Sequence, residues 1–198
     1  MSKPYSQACE NNKAVILEFI RRYFDAGSTV LEIGSYTAQH IQFFADHLAS
    51  VTWQPTEIET NMAILQDGLE GCASNNILAP ITLEVQMNPW PVNEADNIFS
   101  ANTLHIMAEK FVMEFFRGAG QVLRPGGYLC VYGPFKYAGH YTSDSNARFQ
   151  EWLLRQDPVS GIRDFELVND LAEKAGMALV EDHAMPANNQ LLAWVKQA

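Results

Sequence analysis

The sequence is poor in cysteine and has no long apolar run. Cys9, Cys72 and Cys130 lie far apart among 198 residues, and their odd number and spacing argue against a disulfide framework. We therefore expect reduced thiols in a cytoplasmic protein. The polar start MSKPYSQACENNK carries no signal-peptide pattern, and no apolar run reaches the length of a membrane span. These absences predict a protein without a membrane partner.

Basic residues are scarce as well. Lysine and arginine number 13 against 23 acidic residues, which gives a net charge of −10. The densest basic pair lies in FIRRYF, inside a helical pattern, so no basic patch is indicated. A negative field disfavours nucleic acid and anionic membranes, and it tolerates a cationic ligand. We expect a small-molecule substrate, and the sequence leaves the oligomeric state open.

Metal-ligand patterns are absent too. His40, His47 and His183 have no carboxylate or cysteine at the spacing that metal sites use, and no two cysteines have it either. We therefore predict no metal site. Tested by experiment, this prediction would fail if the purified and dialysed protein kept stoichiometric zinc or iron.

Apolar strands alternate with helical stripes through most of the chain. The patterns predict strands at 28–34, 51–57, 80–86, 95–102 and 128–134, and helices at 13–24, from 37, at 60–72, at 111–123 and at 164–175. This alternation is typical of an α/β fold with a parallel sheet covered on both faces. Residues 177–197 instead hold two strands around a Pro/Asn turn, which predicts an antiparallel hairpin. The length favours one domain over residues 1–198.

Two glycines are missing from the loop LEIGSYTAQH, residues 31–40. Tyr36 and Ala38 stand where the nucleotide-binding pattern E-x-G-x-G-x-G has glycine. A diphosphate needs close backbone approach at a helix N-terminus, and neither lysine nor arginine lies nearby to help. An adenosyl cofactor without phosphate needs carboxylates for its hydroxyls and polar groups for its amino-acid end. The loop therefore favours S-adenosyl-L-methionine over NAD, and an acidic protein suits its sulfonium charge.

Ligands of doubly wound sheets bind beyond the carboxyl ends of the strands, so the residues that follow each strand are candidates. Glu57 stands at the end of the second strand, where a carboxylate binds ribose hydroxyls, although a solvated strand-end carboxylate is the simpler alternative. The candidate cofactor-binding residues are Glu32, Gly34, Ser35, Tyr36, Glu57, Glu84, Gln86, Met87 and Asn102.

His105 is the main candidate for a general base, because it follows the fourth strand and its ordinary pKa is near neutrality. Methyl transfer from a sulfonium needs mainly alignment, and a base helps only where the acceptor must lose a proton. The alternative is a structural histidine. His140 is a weaker candidate, in the polar segment 133–149 that either covers a substrate or is a solvated loop. Candidate substrate-binding residues are Tyr132, Tyr137, Asn146 and Arg163.

Several motifs together resemble a known family. They are SQACENNKAVIL, LEIGSYTAQH, WQPTE, PWPV, ANTLHI, LRPGGYLCVYGPF, SNARF, GIRD and MPANN. The chain resembles class I S-adenosylmethionine-dependent methyltransferases over nearly its whole length. More narrowly, it resembles the methyltransferase-like protein 26 family of unknown function and its bacterial counterparts. The resemblance implies a Rossmann-like seven-stranded sheet of order 3-2-1-4-5-7-6, with strand 7 antiparallel and helices on both faces.

The resemblance also assigns roles and exposes departures. It implies that Glu57 binds the ribose and that Glu84 with Gln86 lies at the adenine. Tyr36 and Ala38 replace glycines of the family loop, and Asn11 stands where the N-terminal motif has arginine. These departures keep two functions open: a methyltransferase that acts on a small molecule, and a catalytically degenerate methyltransferase fold that serves as a binding or scaffold module. An NAD-dependent oxidoreductase is a third, disfavoured by the loop and the terminal hairpin.

Overall fold

The predicted strands pair into one central sheet, flanked by the predicted helices. The computed structural model describes residues 3–198. In chain order its elements are α1 (Gln7–Ile20), β1 (Thr29–Ile33), α2 (Gln39–His47), β2 (Thr52–Glu57), α3 (Met62–Leu69), β3 (Ile81–Thr82), β4 (Asn97–Ala101), α4 (Glu109–Val122), β5 (Tyr128–Gly133), β6 (Phe135–Tyr137), β7 (His140–Tyr141), α5 (Asp144–Gln156), β8 (Arg163–Asp164), α6 (Phe165–Lys174), β9 (Met177–Met185) and β10 (Asn189–Lys196).

The strand order of the main sheet is β3-β2-β1-β4-β5-β10-β9. The pairs from β3 through β5 are parallel, and β10 runs antiparallel to both β5 and β9. With β9 and β10 counted as the sixth and seventh strands, this order confirms the predicted sheet. Strand order reverses between β1 and β4, and that reversal opens a crevice at the carboxyl ends of the strands.

Each face of the sheet carries its own apolar core, because successive side chains of a strand point to opposite faces. On one face Val30 packs with the inward residues of α1, α2 and α3, among them Ile16 and Phe44. On the other face Leu31 packs with α4 and α6, where Phe116 is fully buried. Glu32 is two residues after Val30, so its side chain points to the α1 face.

The structure differs from the predicted pattern in three segments. β3 spans two residues instead of 80–86, because β2 ends at Glu57, opposite Thr82, and leaves the later residues without a strand partner. α1 begins at Gln7, six residues before the predicted helix, where the hydroxyl of Ser6 accepts the backbone N–H of Cys9 at 3.4 Å. The segment 133–149 contains a second small sheet of order β7-β6-β8, together with the start of α5.

Candidate functional site

The loop after β1 keeps a glycine-like backbone despite its missing glycines. Tyr36 and Ala38 have positive φ angles of 43° and 61°, and Gly34 has 79°. At Gly34 the residue type is required, because a Cβ there would lie 2.6 Å from Cγ2 of Thr103. The other two positions accept side chains at a cost on the order of 1 kcal/mol each. Tyr36 and Ala38 therefore adopt backbone angles that glycine reaches without steric cost.

The Tyr36 phenol does not fill a buried hollow, since the residue is 47% exposed. Its backbone N–H instead donates to Oε2 of Glu57 at 2.8 Å. Oε1 of Glu57 accepts the N–H of Ile58 at 2.9 Å. The buried Glu57 carboxylate thus ties the loop after β1 to the end of β2, and charge-assisted bonds of this kind are among the stronger ones.

Glu32 is the most unusual group of the site. It is 2% exposed, and its Oε2 has no hydrogen-bond partner. The hydroxyl of the neighbouring Ser35 is also buried and without a partner. Burial raises the pKa of Glu32 to about 7, an interaction with the Ser35 hydroxyl too weak to form a hydrogen bond of normal geometry opposes the rise, and the negative charge of Glu57 adds to it. Unsatisfied buried polar groups are rare and costly, so this pair points to a missing donor.

The first turn of α1 lies beside the same loop. The backbone N–H of Ser6 donates to the side-chain carbonyl of Gln39, which also accepts the hydroxyl of Thr37 at 3.1 Å. Burial raises the pKa of the Cys9 thiol, the hydroxyls of Ser6 and Thr37 oppose the rise, and the charge of Glu32 adds to it. Sequence reasoning missed the bond between Ser6 and Gln39, because no spacing rule links residue 6 to residue 39.

Hydrogen bonds join the ends of β1, β4 and β5. The hydroxyl of Ser100 donates to the carbonyl of Ile33 at 2.8 Å and shares a 2.6 Å hydrogen bond with Thr103. Asn102 has a φ of 58°, and its N–H donates to the carbonyl of Tyr132 at 2.8 Å. Asn102 therefore lies at the reversal in strand order, next to Gly34 and Thr103.

Glu84, Gln86 and Met87 lie in the turn that follows β3. The N–H of Leu83 donates to the carbonyl of Glu57 at 2.9 Å, so the turn begins beside the end of β2. Within it, Gln86 donates to Glu84 at 2.5 Å. The turn is anchored to α4 by Arg117, which donates to the carbonyl of Met87 at 3.0 Å. These three candidates thus lie at the carboxyl ends of the strands, as Glu32 does, but nearer to β3.

His105 lies in the loop that follows β4 and is buried. Its ring packs edge-to-face against Phe149, with 5.4 Å between the ring centroids. Burial lowers the pKa of His105 to about 4, and the positive charge of Arg163 adds to this. Arg163 donates to the carbonyls of Leu104 at 3.1 Å, Met107 and Val159 at 3.2 Å. Arg163 thus fixes the loop that carries His105, and its Nε and Nη2 donate to protein carbonyls.

The remaining candidates divide between two places. Tyr132 ends β5 at the sheet edge, and its hydroxyl accepts the side-chain N–H of Asn189 at 3.0 Å. Asn146 on α5 is buried and donates to the carbonyl of Asn188, which ties α5 to the turn between β9 and β10. Further away, Tyr137 in the small sheet donates to Asp182, with its ring stacked on Phe165.

His140 is exposed on β7 and pairs through its backbone with Tyr137. The structure therefore gathers the cofactor candidates and His105 at one sheet edge, whereas His140 and Tyr137 belong to the small sheet. Among residues 3–198, histidine, cysteine and carboxylate side chains form no group of three that could hold a metal ion. Over the same range, no helix is both long and apolar enough to cross a bilayer.

The sheet order and the crevice at its reversal define the Rossmann-like fold of class I methyltransferases, and solved structures agree. An O-methyltransferase family protein from Burkholderia thailandensis aligns with a TM-score of 0.84 and 13% identity, over 97% of this chain and 57% of that chain. Human N-acetylserotonin methyltransferase in complex with SAM aligns with a TM-score of 0.80 and 13% identity, over 97% and 53%.

A third structure is an O-methyltransferase family 2 protein from Planctomyces limnophilus in complex with apigenin, with a TM-score of 0.74 and 14% identity, over 86% of this chain and 51% of that chain. The chain thus spans little more than half the length of these neighbours. A family model described as "Protein of unknown function (DUF938)" matches residues 3–196. The chain belongs to the DUF938 family.

Proposed function

We propose that the protein is an S-adenosyl-L-methionine-dependent methyltransferase that acts on a small-molecule acceptor. The observation that carries this proposal is the pair of unpartnered, buried groups at the end of β1, Oε2 of Glu32 and the hydroxyl of Ser35. A cationic amino group satisfies both, and the amino-acid end of this cofactor carries one. The structural neighbours support the same cofactor, since one of them was solved in complex with SAM.

The residues present fit the other parts of the cofactor too. Glu57, held by two backbone N–H groups, keeps lone pairs free for the ribose hydroxyls. The turn with Glu84, Gln86 and Met87 offers polar groups and an apolar side chain for adenine, and Asn102, at the end of β4, is a further proposed contact of the cofactor. When bound, the cofactor supplies an electrophilic methyl group. The protein's part is to align the acceptor and to keep water away.

His105 is the proposed general base for an acceptor that must lose a proton. Its imidazole is neutral at physiological pH, because burial and Arg163 lower its pKa. A neutral imidazole has one nitrogen with a free lone pair, which accepts a proton from a hydroxyl as the acceptor attacks, and one N–H donor. A pKa of about 4 makes it a weak base. Tyr132 and Asn146 are proposed to contact the acceptor, and Arg163 holds the loop that carries His105. His140 stays the weaker proposal for a general base, and Tyr137 stays a proposed contact of the substrate.

The second candidate is a degenerate methyltransferase fold that serves as a scaffold, favoured by Tyr36 and Ala38 in the loop. Their glycine-like backbone angles support retained binding instead. We further propose one domain over residues 1–198, membership in the methyltransferase-like protein 26 family, and no nucleic-acid or membrane partner. A cytoplasmic location is also part of the proposal, supported by three free cysteines.

Replacing Tyr36 with glycine tests whether its ring takes part in binding. The Tyr36→Gly variant keeps the N–H that Glu57 accepts and adopts a positive φ freely, so we expect stability within about 1 kcal/mol of wild type. Because the ring is half-exposed, we expect affinity for S-adenosylhomocysteine to change less than about threefold. Calorimetry measures this, with Ala38→Gly as the control. A tenfold gain in affinity would show that the ring obstructs the ligand. A tenfold loss in affinity would show that the ring stacks on it.

The charge state of His105 can be measured without an acceptor. We expect its imidazole to stay neutral from pH 6 to 8 and to gain a proton only near its pKa of about 4. Nuclear magnetic resonance of the labelled imidazole nitrogens follows this, and the signal missing from His105→Gln assigns it. A midpoint near 6.5 would contradict the buried, neutral base.

The proposed function itself is tested by the ligand and the reaction. The purified protein is denatured and its small molecules are identified by mass spectrometry, with S-adenosylmethionine or S-adenosylhomocysteine as the expected result. Methyl-labelled cofactor is then incubated with a fraction of small metabolites and with a protein fraction. Label in the small-molecule fraction supports the proposal. Cofactor binding without any transfer would favour the scaffold, and bound NAD would favour an oxidoreductase.

A further inference from the structure

A buried polar pair links α1 to α2 within an otherwise apolar core. Nε2 of His40 lies 2.6 Å from Oδ1 of Asn12, and both residues are buried. The His40 ring stacks on Phe44 at 5.5 Å and meets Phe99 edge-on. Burial lowers the pKa of His40 to about 4, with Lys13 adding to the effect, so the ring is neutral and its Nε2–H serves as the donor.

The pair is more than a filler of the core. A buried hydrogen-bonded pair between two apolar helices contributes little net stability, but it fixes their register, because any slip leaves both groups unsatisfied. Burial also raises the pKa of the Tyr132 phenol, and the amides of Asn189 and Asn12 oppose the rise. The hydrogen bond of the Asn12 amide therefore joins α1 to α2.

The position of α1 matters to the site because its first turn lies against the loop after β1. The N–H of Ser6 donates to Gln39, which also accepts the hydroxyl of Thr37, and the hydroxyl of Ser6 accepts the N–H of Cys9. The charge of Glu32 adds to the raised pKa of the Cys9 thiol. His40 is the residue after Gln39, so the Asn12–His40 bond and the Ser6–Gln39 bond clamp successive residues of α2. A shift of α1 would move Ser6 and Cys9 relative to the loop that follows β1.

We propose that the Asn12–His40 bond is a positioning device that holds the first turn of α1 as a wall of the site around Glu32. Ser6 and Cys9 then belong to the binding site, on the side of the cofactor's amino-acid end. This inference rests on the proposed function for the identity of the ligand. The placement of α1 is independent of any ligand, so it can be measured separately.

The test uses a double variant that removes both polar partners at once. Asn12→Leu with His40→Phe leaves neither group unsatisfied, and the phenyl ring keeps the stacking on Phe44, so we expect a melting temperature within about 3 °C of wild type. Alkylation of Cys9 by iodoacetamide, followed by peptide mass spectrometry, is expected to be about fivefold faster relative to Cys72 in the same sample. Affinity for S-adenosylhomocysteine is expected to fall about tenfold.

Two further variants separate positioning from bulk structure. Glu18→Ala on the exposed side of α1 is the control and is expected to change neither measurement. His40→Gln keeps a side-chain N–H that can reach Asn12. An affinity for S-adenosylhomocysteine within about threefold of wild type would support a specific bond. A His40→Gln variant as weak as the double variant would contradict it.

The outcomes are distinct. A double variant of unchanged stability with unchanged alkylation of Cys9 would overturn the inference. Faster alkylation with unchanged affinity would show that α1 moves without any effect on the ligand. That result would overturn the proposal that Ser6 and Cys9 belong to the binding site. Wild-type protein that binds no S-adenosylhomocysteine would overturn the proposed function and the role as a wall, and the alkylation rates would still decide whether the pair holds α1.

Discussion

The variant Glu57→Gln is expected to weaken binding of S-adenosylhomocysteine on the order of 100-fold, about 2.7 kcal/mol. The carboxylate is the group proposed to accept both ribose hydroxyls, and hydrogen bonds to a charged acceptor contribute about 1.5–3 kcal/mol each. It also accepts the N–H groups of Tyr36 and Ile58. An amide has one oxygen in place of two, so one of these partners is lost and the loop after β1 loosens.

Glu59→Gln is the matched control for Glu57→Gln. It makes the same change of charge two residues away, at an exposed side chain that accepts the hydroxyl of Thr82 at 2.9 Å. We expect its affinity to stay within about twofold of wild type, since exposed charges contribute little. Calorimetry measures the affinity of both variants for S-adenosylhomocysteine, and a melting curve shows that each variant is folded. Equal affinities for Glu57→Gln and wild type would remove Glu57 from the site.

The variant Glu32→Gln is expected to be more stable than wild type at pH 8 and to bind ligand worse. A pKa raised from 4.5 to about 7 corresponds to about 3 kcal/mol against the ionised form in the folded state. The neutral amide avoids that cost but needs hydrogen-bond partners of its own. We therefore expect the free energy of unfolding at pH 8 to rise by about 1–3 kcal/mol. Losing the charge that faces a cationic amino group should weaken binding at least about tenfold.

The stability difference should depend on pH with a defined sign. Between pH 4.5 and 7 the folded state holds the Glu32 proton and the unfolded state does not, so wild-type stability falls as pH rises through this window. Below about pH 4.5 Glu32 is protonated in both the folded and the unfolded state, and the stability advantage of Glu32→Gln disappears. Above pH 7 that advantage is constant. Denaturant unfolding of both proteins from pH 4 to 8 measures this.

Glu18→Gln is the control for Glu32→Gln. Its carboxylate is exposed and lies 3.6 Å from Arg21, so the same loss of one charge should leave the free energy of unfolding nearly unchanged at every pH. A stability difference between Glu32→Gln and wild type that does not vary with pH would contradict the raised pKa. A variant that binds ligand as well as wild type would remove Glu32 from the cofactor site.

The architecture was predictable from the sequence because it depends on periodicity. Five apolar strands alternate with helices and a Pro/Asn turn closes a hairpin, and these patterns predict a parallel sheet with an antiparallel hairpin at its end, whereas the strand order came from the resemblance to class I methyltransferases. The position of Glu57 followed from the same logic, since the carboxyl ends of parallel strands meet at one edge. Strand length was less predictable: β3 is short because its only partner, β2, ends at Glu57.

The finer parts of the site were not predictable, because they depend on contacts between distant residues. Tyr36 and Ala38 suggest a damaged loop, yet their backbone angles match those that glycine adopts, and nothing in the residue types reveals this. The Asn12–His40 bond joins residues 28 positions apart, and the unpartnered oxygen of Glu32 appears only once burial is known. A sequence indicates which side chains reach an edge, and only coordinates show which of them remain unsatisfied.

Titration of the wild-type protein with S-adenosylhomocysteine by calorimetry tests the central claim most directly. The account predicts one site per chain with a dissociation constant in the micromolar range, roughly −8 kcal/mol, and tighter binding at pH 8 than at pH 6, since Glu32 must lose its proton to meet a cation. No heat at millimolar ligand would contradict the account, and the fold would then be a scaffold without its cofactor.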